Sequence, residues 1–328
     1  MKVLMIGDAT RIEKFIPHTP FSDSTEQVIV PLGCEDADII AAGEDAAALV
    51  ADAIAPVSAR LIEGIPSLKL IHSEGVAFSA IDIEAARAAH VPVCNCKGMN
   101  AVAVAEQTLL LILGLTRDVV AGDAAVREGT QIKAKHRLMV EGIHELCGAK
   151  VGLIGLGDIG RETAKRLVAF GADVSYYQRT RLPIEEERAL GVRHLPLGEL
   201  LAESEIVSLH LPVTAQTAGM VNAAFLAKMR ADAYLVNTSR GELVENEALA
   251  RALVEGRIAG AGLDTIAPEP VTADNPLVAL PEDIPARVLY SPHIGGVTTN
   301  SFRRGYDIIW GNIERIAHGE EPVNIVNR

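Results

Sequence analysis

The chain has 328 residues, of which 49% are hydrophobic and 22% charged, an ordinary globular composition with length enough for two cores. A net charge of −13 disfavours nucleic acid and anionic membranes as partners, since both are polyanions. The four cysteines at 34, 94, 96 and 147 are too few to form a disulfide framework in a chain this long.

The opening Met1-Lys-Val-Leu-Met-Ile-Gly-Asp8 reads as a first strand. It has neither the basic leader nor the long apolar core of a secretory signal, so cytoplasmic residence is expected. Further strands are expected at Gln27–Val30, Ala37–Ala41, Leu68–Ser73 and Pro92–Cys94, with helices at Glu44–Ala53 and Ile81–Ala89. Such alternation predicts a parallel sheet covered by helices. Cys94-Asn-Cys96 has ligand spacing but no second ligand pair, so buried thiols are expected there and no metal.

Asn100 is a good N-cap for the nearly all-apolar run from Ala101 to Gly114, a helix that must be buried on several sides. The run is too short to span a bilayer and carries Glu106. Residues 117–147 form a charged arm to which no element is assigned.

At Val151 the pattern restarts as Val-Gly-Leu-Ile-Gly155-Leu-Gly157-Asp158-Ile159-Gly160-Arg161. An apolar strand, three glycines at G-x-G-x-x-G spacing and a helical continuation make a dinucleotide-binding turn. The first glycine permits the turn, the second admits a pyrophosphate and the third lets helix and strand pack closely. The helix N-terminus adds free N–H groups and a positive dipole end. Strands follow near Asp173–Tyr177, Ile206–Leu209, Tyr234–Asn237, Gly260–Asp264 and Val288–Tyr290, and an amphipathic helix closes the chain from Thr299. Packing of that helix on the N-terminal part would make the substrate domain discontinuous, residues 1–99 plus 299–328, around a nucleotide domain at 100–298.

The end of the second strand of such a fold carries an acid that binds the ribose 2′-hydroxyl of NAD. Here Gln178 stands in that place, followed by Arg179-Thr180-Arg181. Two guanidinium groups and a hydroxyl suit a 2′-phosphate, so NADP(H) is expected in preference to NAD(H).

Three ionisable residues follow later strands: Arg240 after Leu235–Ser239, Glu269 in Gly262–Pro270 and His293 in Tyr290–Gly296. A cation can bind a carboxylate and polarise the adjacent carbonyl. A histidine can protonate that carbonyl as hydride arrives, and a carboxylate beside it would fix its tautomer.

Taken together, the motifs resemble the D-isomer-specific 2-hydroxyacid dehydrogenases, which include glyoxylate/hydroxypyruvate reductases and phosphoglycerate dehydrogenase. The carriers are Asn100–Glu106, Val151–Gly160, Ser208–Thr214, Val236–Gly241, Gly260–Asp264 and Ser291–Gly296. The resemblance implies two doubly wound parallel-sheet α/β domains, a Rossmann nucleotide domain and a flavodoxin-like substrate domain. It implies Arg240 as the substrate-binding cation, His293 as acid and base, and Glu269 as its partner. It places Asp158 and Ile159 over the pyrophosphate, with Pro212, Thr217, Thr238 and Asp264 along the adenine, ribose and nicotinamide path. The N–H groups of Val76 and Ala77, in Ser73–Phe78, would hold the substrate carboxylate. Ala77 departs from the glycine frequent there, and Glu269 departs from the amide of the formate dehydrogenase branch. The implied activity is reversible hydride transfer between NADPH and a small 2-oxo acid, by a homodimer. A catalytically silent nucleotide sensor, similar to the corepressors of this superfamily, is the rival reading.

Overall fold

The computed structural model describes residues 1–328, which divide into two compact units, Met1–Asn100 with Val297–Arg328 and Ala101–Gly296. In the first unit the order is β1 (Lys2–Ile6), α1 (Ala9–Phe15), α2 (Pro20–Asp23), β2 (Glu26–Val30), α3 (Asp36–Ala42) and β3 (Ala46–Ala51). Then come α4 (Ala59–Gly64), β4 (Leu70–Ser73), α5 (Ile83–Ala88) and β5 (Val93–Cys94). The second unit opens with α6 (Ala101–Thr116), α7 (Val119–Arg127), α8 (Gln131–Glu141), β6 (Lys150–Ile154), α9 (Asp158–Ala169) and β7 (Asp173–Tyr177). It continues with α10 (Ile184–Leu190), β8 (Val192–His194), α11 (Leu197–Glu203), β9 (Ile206–Leu209), α12 (Ala223–Leu226) and β10 (Tyr234–Asn237). It ends with α13 (Asn246–Val254), β11 (Gly260–Leu263) and β12 (Arg287–Tyr290), before α14 (Thr299–Ala317) returns to the first unit.

The first unit is a parallel sheet in the order β2-β1-β3-β4-β5. Successive residues alternate between its faces. Leu4, Ile6, Leu49, Ala51 and Ile71 pack with α3 and α4, while Val3, Met5, Val50 and Leu70 pack with Tyr306, Ile309, Trp310 and Ile313 of α14. One expectation is reversed here. The segment read as a strand at 37–41 is α3, and the segment read as a helix at 44–53 is β3. Ala46-Ala-Ala-Leu-Val-Ala51 carries strong helix formers, but it lies between β1 and β4 with both faces covered, and burial overrides propensity. Asp36 and Asp38 in the first turn of α3 and Gly43 at its C-cap suit a helix.

His72, in β4, is fully buried and joins the sheet to the last helix. Its Nδ1 lies 2.7 Å from the Ser73 carbonyl, and its Nε2 lies 3.1 Å from Nδ2 of Asn312 in α14. Cys94 and Cys96 are fully buried.

The second unit is a parallel sheet in the order β12-β11-β10-β9-β6-β7-β8. From β6 the chain winds outward through β7 and β8, then crosses back to β9 and winds the other way. The loops after β6 and β9 therefore diverge and leave a crevice at their carboxyl ends, where open sheets of this kind bind ligands. The short strand β8 was not expected from the sequence, and the charged arm at 117–147 supplies α7 and α8. Helix α6 is buried along most of its length. No helix is long and apolar enough to cross a membrane.

Candidate active site

The glycine-rich turn leaves β6 at Ile154, which pairs with Leu209 and so sets Gly155 beside His210. Gly155 has φ +97°, and a Cβ there would lie 2.3 Å from the His210 carbonyl oxygen. At Gly160 a Cβ would lie 2.4 Å from the Gly155 carbonyl oxygen. Both glycines are required by the protein itself. Gly157 is different, since a Cβ there would meet nothing within 4 Å. Its bareness serves no packing need and leaves the backbone open at the start of α9. No side chain caps that helix, and the N–H groups of Asp158, Ile159 and Gly160 have no partner in the chain. Open backbone and unpaired N–H groups at a helix N-terminus fit a pyrophosphate.

At the end of β7, Gln178 organises the turn. Its Oε1 accepts from the Leu156 N–H at 3.2 Å, and its Nε2 donates to the Thr180 carbonyl at 2.7 Å. The sequence offered the two arginines alike, but the structure distinguishes them. Arg181 donates two hydrogen bonds of 2.7 Å to the buried Glu187, which also accepts from Tyr176 at 2.7 Å. Hydrogen bonding from Arg181 holds the Glu187 carboxyl down to about 2. Arg179 is exposed and has no ion pair, so it is the free cation of the turn.

His210 follows β9 and is buried beneath the turn, its Nε2 3.1 Å from Ser208 Oγ and its Nδ1 without a partner. Burial pushes both His210 and His72 down to about 4. These two rings are neutral when folded and titrate near 6.5 when unfolded, so stability is lost as pH falls from about 6.5 toward 4. The expected loss is about 2 kcal/mol per histidine by pH 5. Urea midpoints that do not move between pH 7 and pH 5 would refute this, and His72→Gln should flatten the dependence.

Beyond β9, the Thr217 hydroxyl donates to the Pro212 carbonyl at 2.7 Å and braces the exposed turn. Thr238, after β10, shares a 2.8 Å hydrogen bond with Thr108 of α6 and is buried. Asp264, after β11, accepts from the N–H groups of Ile294 at 3.1 Å and Gly295 at 2.8 Å and from the Ser291 hydroxyl. Gln107 of α6 donates to that same hydroxyl at 2.9 Å. Asp264 thus ties down the loop that carries His293, a role the sequence did not reveal.

Arg240, Glu269 and His293 all leave the carboxyl ends of neighbouring strands, β10, β11 and β12. His293 Nδ1 lies 2.8 Å from Glu269 Oε2, with both side chains nearly half exposed. Behind Arg240, Asn237 donates to its carbonyl at 2.9 Å and accepts from the Ser239 N–H at 3.0 Å. A Cβ on Gly241 would lie 2.2 Å from the Ala267 nitrogen, so the Arg240 loop packs directly on the segment leading to Glu269. The Arg240 guanidinium donates only to the Ser239 carbonyl, at 2.8 Å, and has no acidic partner. It is an exposed cation with binding capacity to spare.

In the first unit, the loop after β4 turns its carbonyls inward. Gly75 O accepts from the Cys96 N–H at 2.9 Å, Val76 O from Asn95 Nδ2 at 2.7 Å and Ala77 O from Ser73 Oγ at 2.6 Å. The N–H groups of Val76 and Ala77 have no partner in the chain. Successive unpaired N–H groups make a concavity for an anion.

The profile described as "D-isomer specific 2-hydroxyacid dehydrogenase, NAD binding domain" matches residues 109–295. The chain is 36% identical over 290 residues to a glyoxylate reductase of Korarchaeum cryptofilum, covering 88% of this chain and 85% of that one. It is 38% identical over 275 residues to a glyoxylate reductase of Thermococcus litoralis, covering 83% and 81%. Among solved structures, D-mandelate dehydrogenase of Rhodotorula graminis superposes with a TM-score of 0.84 at 26% identity, covering 100% of this chain and 97% of that one. The TT0316 protein of Thermus thermophilus gives 0.80 at 32% identity, covering 99% and 100%.

Proposed function

Because the chain belongs to the D-isomer-specific 2-hydroxyacid dehydrogenase family, we propose that it reversibly reduces small 2-oxo acids to D-2-hydroxy acids, with NADPH preferred over NADH. The reading rests above all on the His293–Glu269 pair, 2.8 Å apart on the strand edge that also carries the unpartnered Arg240.

When bound, the nicotinamide exchanges hydride with C2 of the substrate. Arg240 binds the substrate carboxylate and draws charge from the carbonyl, and the unpaired Val76 and Ala77 N–H groups of the first unit suit the same kind of anion. Glu269 accepts the Nδ1–H of His293, which leaves Nε2 to give the proton to the carbonyl oxygen and to take it back in oxidation. Gly155, Gly157 and Gly160, with the N–H groups of Asp158 and Ile159, take the pyrophosphate. Pro212, Thr217, Thr238 and Asp264 line the path to the nicotinamide.

Arg179, with Thr180 and the remaining N–H groups of Arg181, takes the 2′-phosphate. Arg179→Ala should therefore raise the KM for NADPH about tenfold and leave that for NADH nearly unchanged, since a charged hydrogen bond is lost only with the phosphate. Arg181→Ala should cost less, because Glu187 already occupies one side of its guanidinium. The test is nicotinamide oxidation with both cofactors against glyoxylate, hydroxypyruvate, pyruvate and branched and phenyl 2-oxo acids. The relatives named glyoxylate reductase make glyoxylate the first substrate to try. A higher kcat/KM with NADH would refute the preference. Tight NADPH binding without turnover on any acid would replace the enzyme with a silent sensor.

The exposed apolar residues Leu110, Val119, Val120, Val126, Ile132, Met139 and Val140 along α6 to α8 support a homodimer through this arm. Four unpaired cysteines support a cytoplasmic location.

A further inference from the structure

We propose that Glu74, clamped by Tyr306 and by an Arg11 that Asp52 also holds, is the positioning residue that holds the Val76 and Ala77 N–H groups in their anion-binding arrangement. This rests on the reading of that loop as the substrate-carboxylate site.

Glu74 is the first residue after β4, and its side chain is 5% exposed. A buried carboxylate two residues ahead of a nest for an anion opposes that anion unless it is neutralised. Arg11 of α1 does so with two hydrogen bonds, Nε to Oε1 at 2.9 Å and Nη2 to Oε2 at 2.7 Å. Tyr306 of α14 donates to Oε1 at 2.9 Å. Asp52, directly after β3, accepts from the same Arg11 Nη2, and Asp8 accepts from the Arg11 backbone N–H at 2.8 Å. The clamp thus collects the carboxyl ends of β1, β3 and β4, three adjacent strands, and a helix from the far end of the sequence.

The loop hangs from this point. The Glu74 N–H donates to Ala51 O at 2.7 Å, and the three carbonyls that follow are each taken by an inward donor, as described above. Burial pushes the Glu74 carboxyl above its ordinary range, against the pull of Arg11 and Tyr306. A buried ion pair is poor at stabilising a fold compared with apolar residues of the same volume. What it does supply is one fixed geometry, and here the geometry it fixes is that of a backbone anion site.

Glu74→Gln keeps the volume but puts an amide donor where one carboxylate oxygen accepts from Arg11 or Tyr306, so the clamp opens. Loss of the negative charge by itself would favour the anion, so weaker oxamate binding reports lost geometry. The expected result is a rise of at least about tenfold in the Kd for oxamate, a 2-oxo acid analogue, and in the KM for glyoxylate, with kcat falling less and the Kd for NADPH unchanged. A lower melting temperature with oxamate Kd and glyoxylate KM unaltered would overturn the proposal and make the clamp a mere strut. If Glu74→Gln does not fold, Tyr306→Phe takes its place. It removes one donor and no charge, and it should weaken oxamate about threefold; no change would again overturn the proposal. Wild-type protein that neither turns over nor binds any 2-oxo acid would remove the functional reading and this inference together. Wild-type turnover with an indifferent Glu74→Gln removes the inference alone.

Discussion

His293→Ala is expected to lower kcat for 2-oxo acid reduction by about 10²- to 10⁴-fold, the range for a lost general acid, while the Kd for NADPH stays within a factor of about two. The structure makes this a test of chemistry rather than of folding. His293 is nearly half exposed, and its loop is held by groups other than its own ring. The His293 N–H donates to the Asp264 carbonyl at 2.9 Å, and the Asp264 carboxylate takes the next two N–H groups and the Ser291 hydroxyl. The residue sits at φ 54°, a left-handed conformation that asparagine tolerates better than alanine. His293→Asn is therefore the control. It should keep the loop and lose the same rate, because an amide has no proton to give at neutral pH. Glu269→Gln should fall between, since an amide still accepts from Nδ1–H but carries no charge to offset the protonated ring. Unchanged turnover in His293→Ala would remove the residue from the mechanism.

What the sequence revealed and what it hid follow from the range of the physics involved. The glycine-rich turn is legible because its constraints are local. Gly155 and Gly160 are demanded by backbone atoms a few residues away or on the neighbouring strand, and Gly157 by nothing in the chain. The strands of the second unit are legible as short apolar runs between turn residues. The exchange of α3 and β3 was not, because Ala46–Ala51 has no alternation, both its faces being covered. The three-residue edge strand β8 is too short to leave a pattern.

At the site, Arg240, Glu269 and His293 could be named from motifs, but their surroundings could not. Arg181 reads as a free cation until Glu187 is seen beneath it. The Glu74 clamp draws on positions 11, 52 and 306, which share no local pattern. The motif marks Asp264 but does not show that its oxygens also hold the His293 loop. Residues that touch a ligand leave local signatures, whereas those that aim them are joined only by the fold.

Arg240→Ala carries the second large effect, about 10²- to 10³-fold in kcat, comparable to removing a donor aimed at developing negative charge, together with a steep rise in the KM for the 2-oxo acid. Both parameters should move if, as proposed, the guanidinium meets the carboxylate in the ground state and the carbonyl oxygen as charge builds there. The loop does not depend on the side chain that is removed: the Arg240 backbone is held by Asn237, the adjacent Ser239 hydroxyl donates to Leu209 O at 2.6 Å, and Gly241 abuts Ala267. Truncation at Cβ frees only the Ser239 carbonyl, to which the guanidinium now donates. Arg240→Lys separates charge from shape. An ammonium keeps the attraction for the carboxylate but loses the planar fork, so KM should recover more than kcat does. A loss confined to kcat in Arg240→Ala would remove it from binding the carboxylate and reduce it to polarising the carbonyl. A loss confined to KM would make it a uniform binding group, with no part in the chemical step.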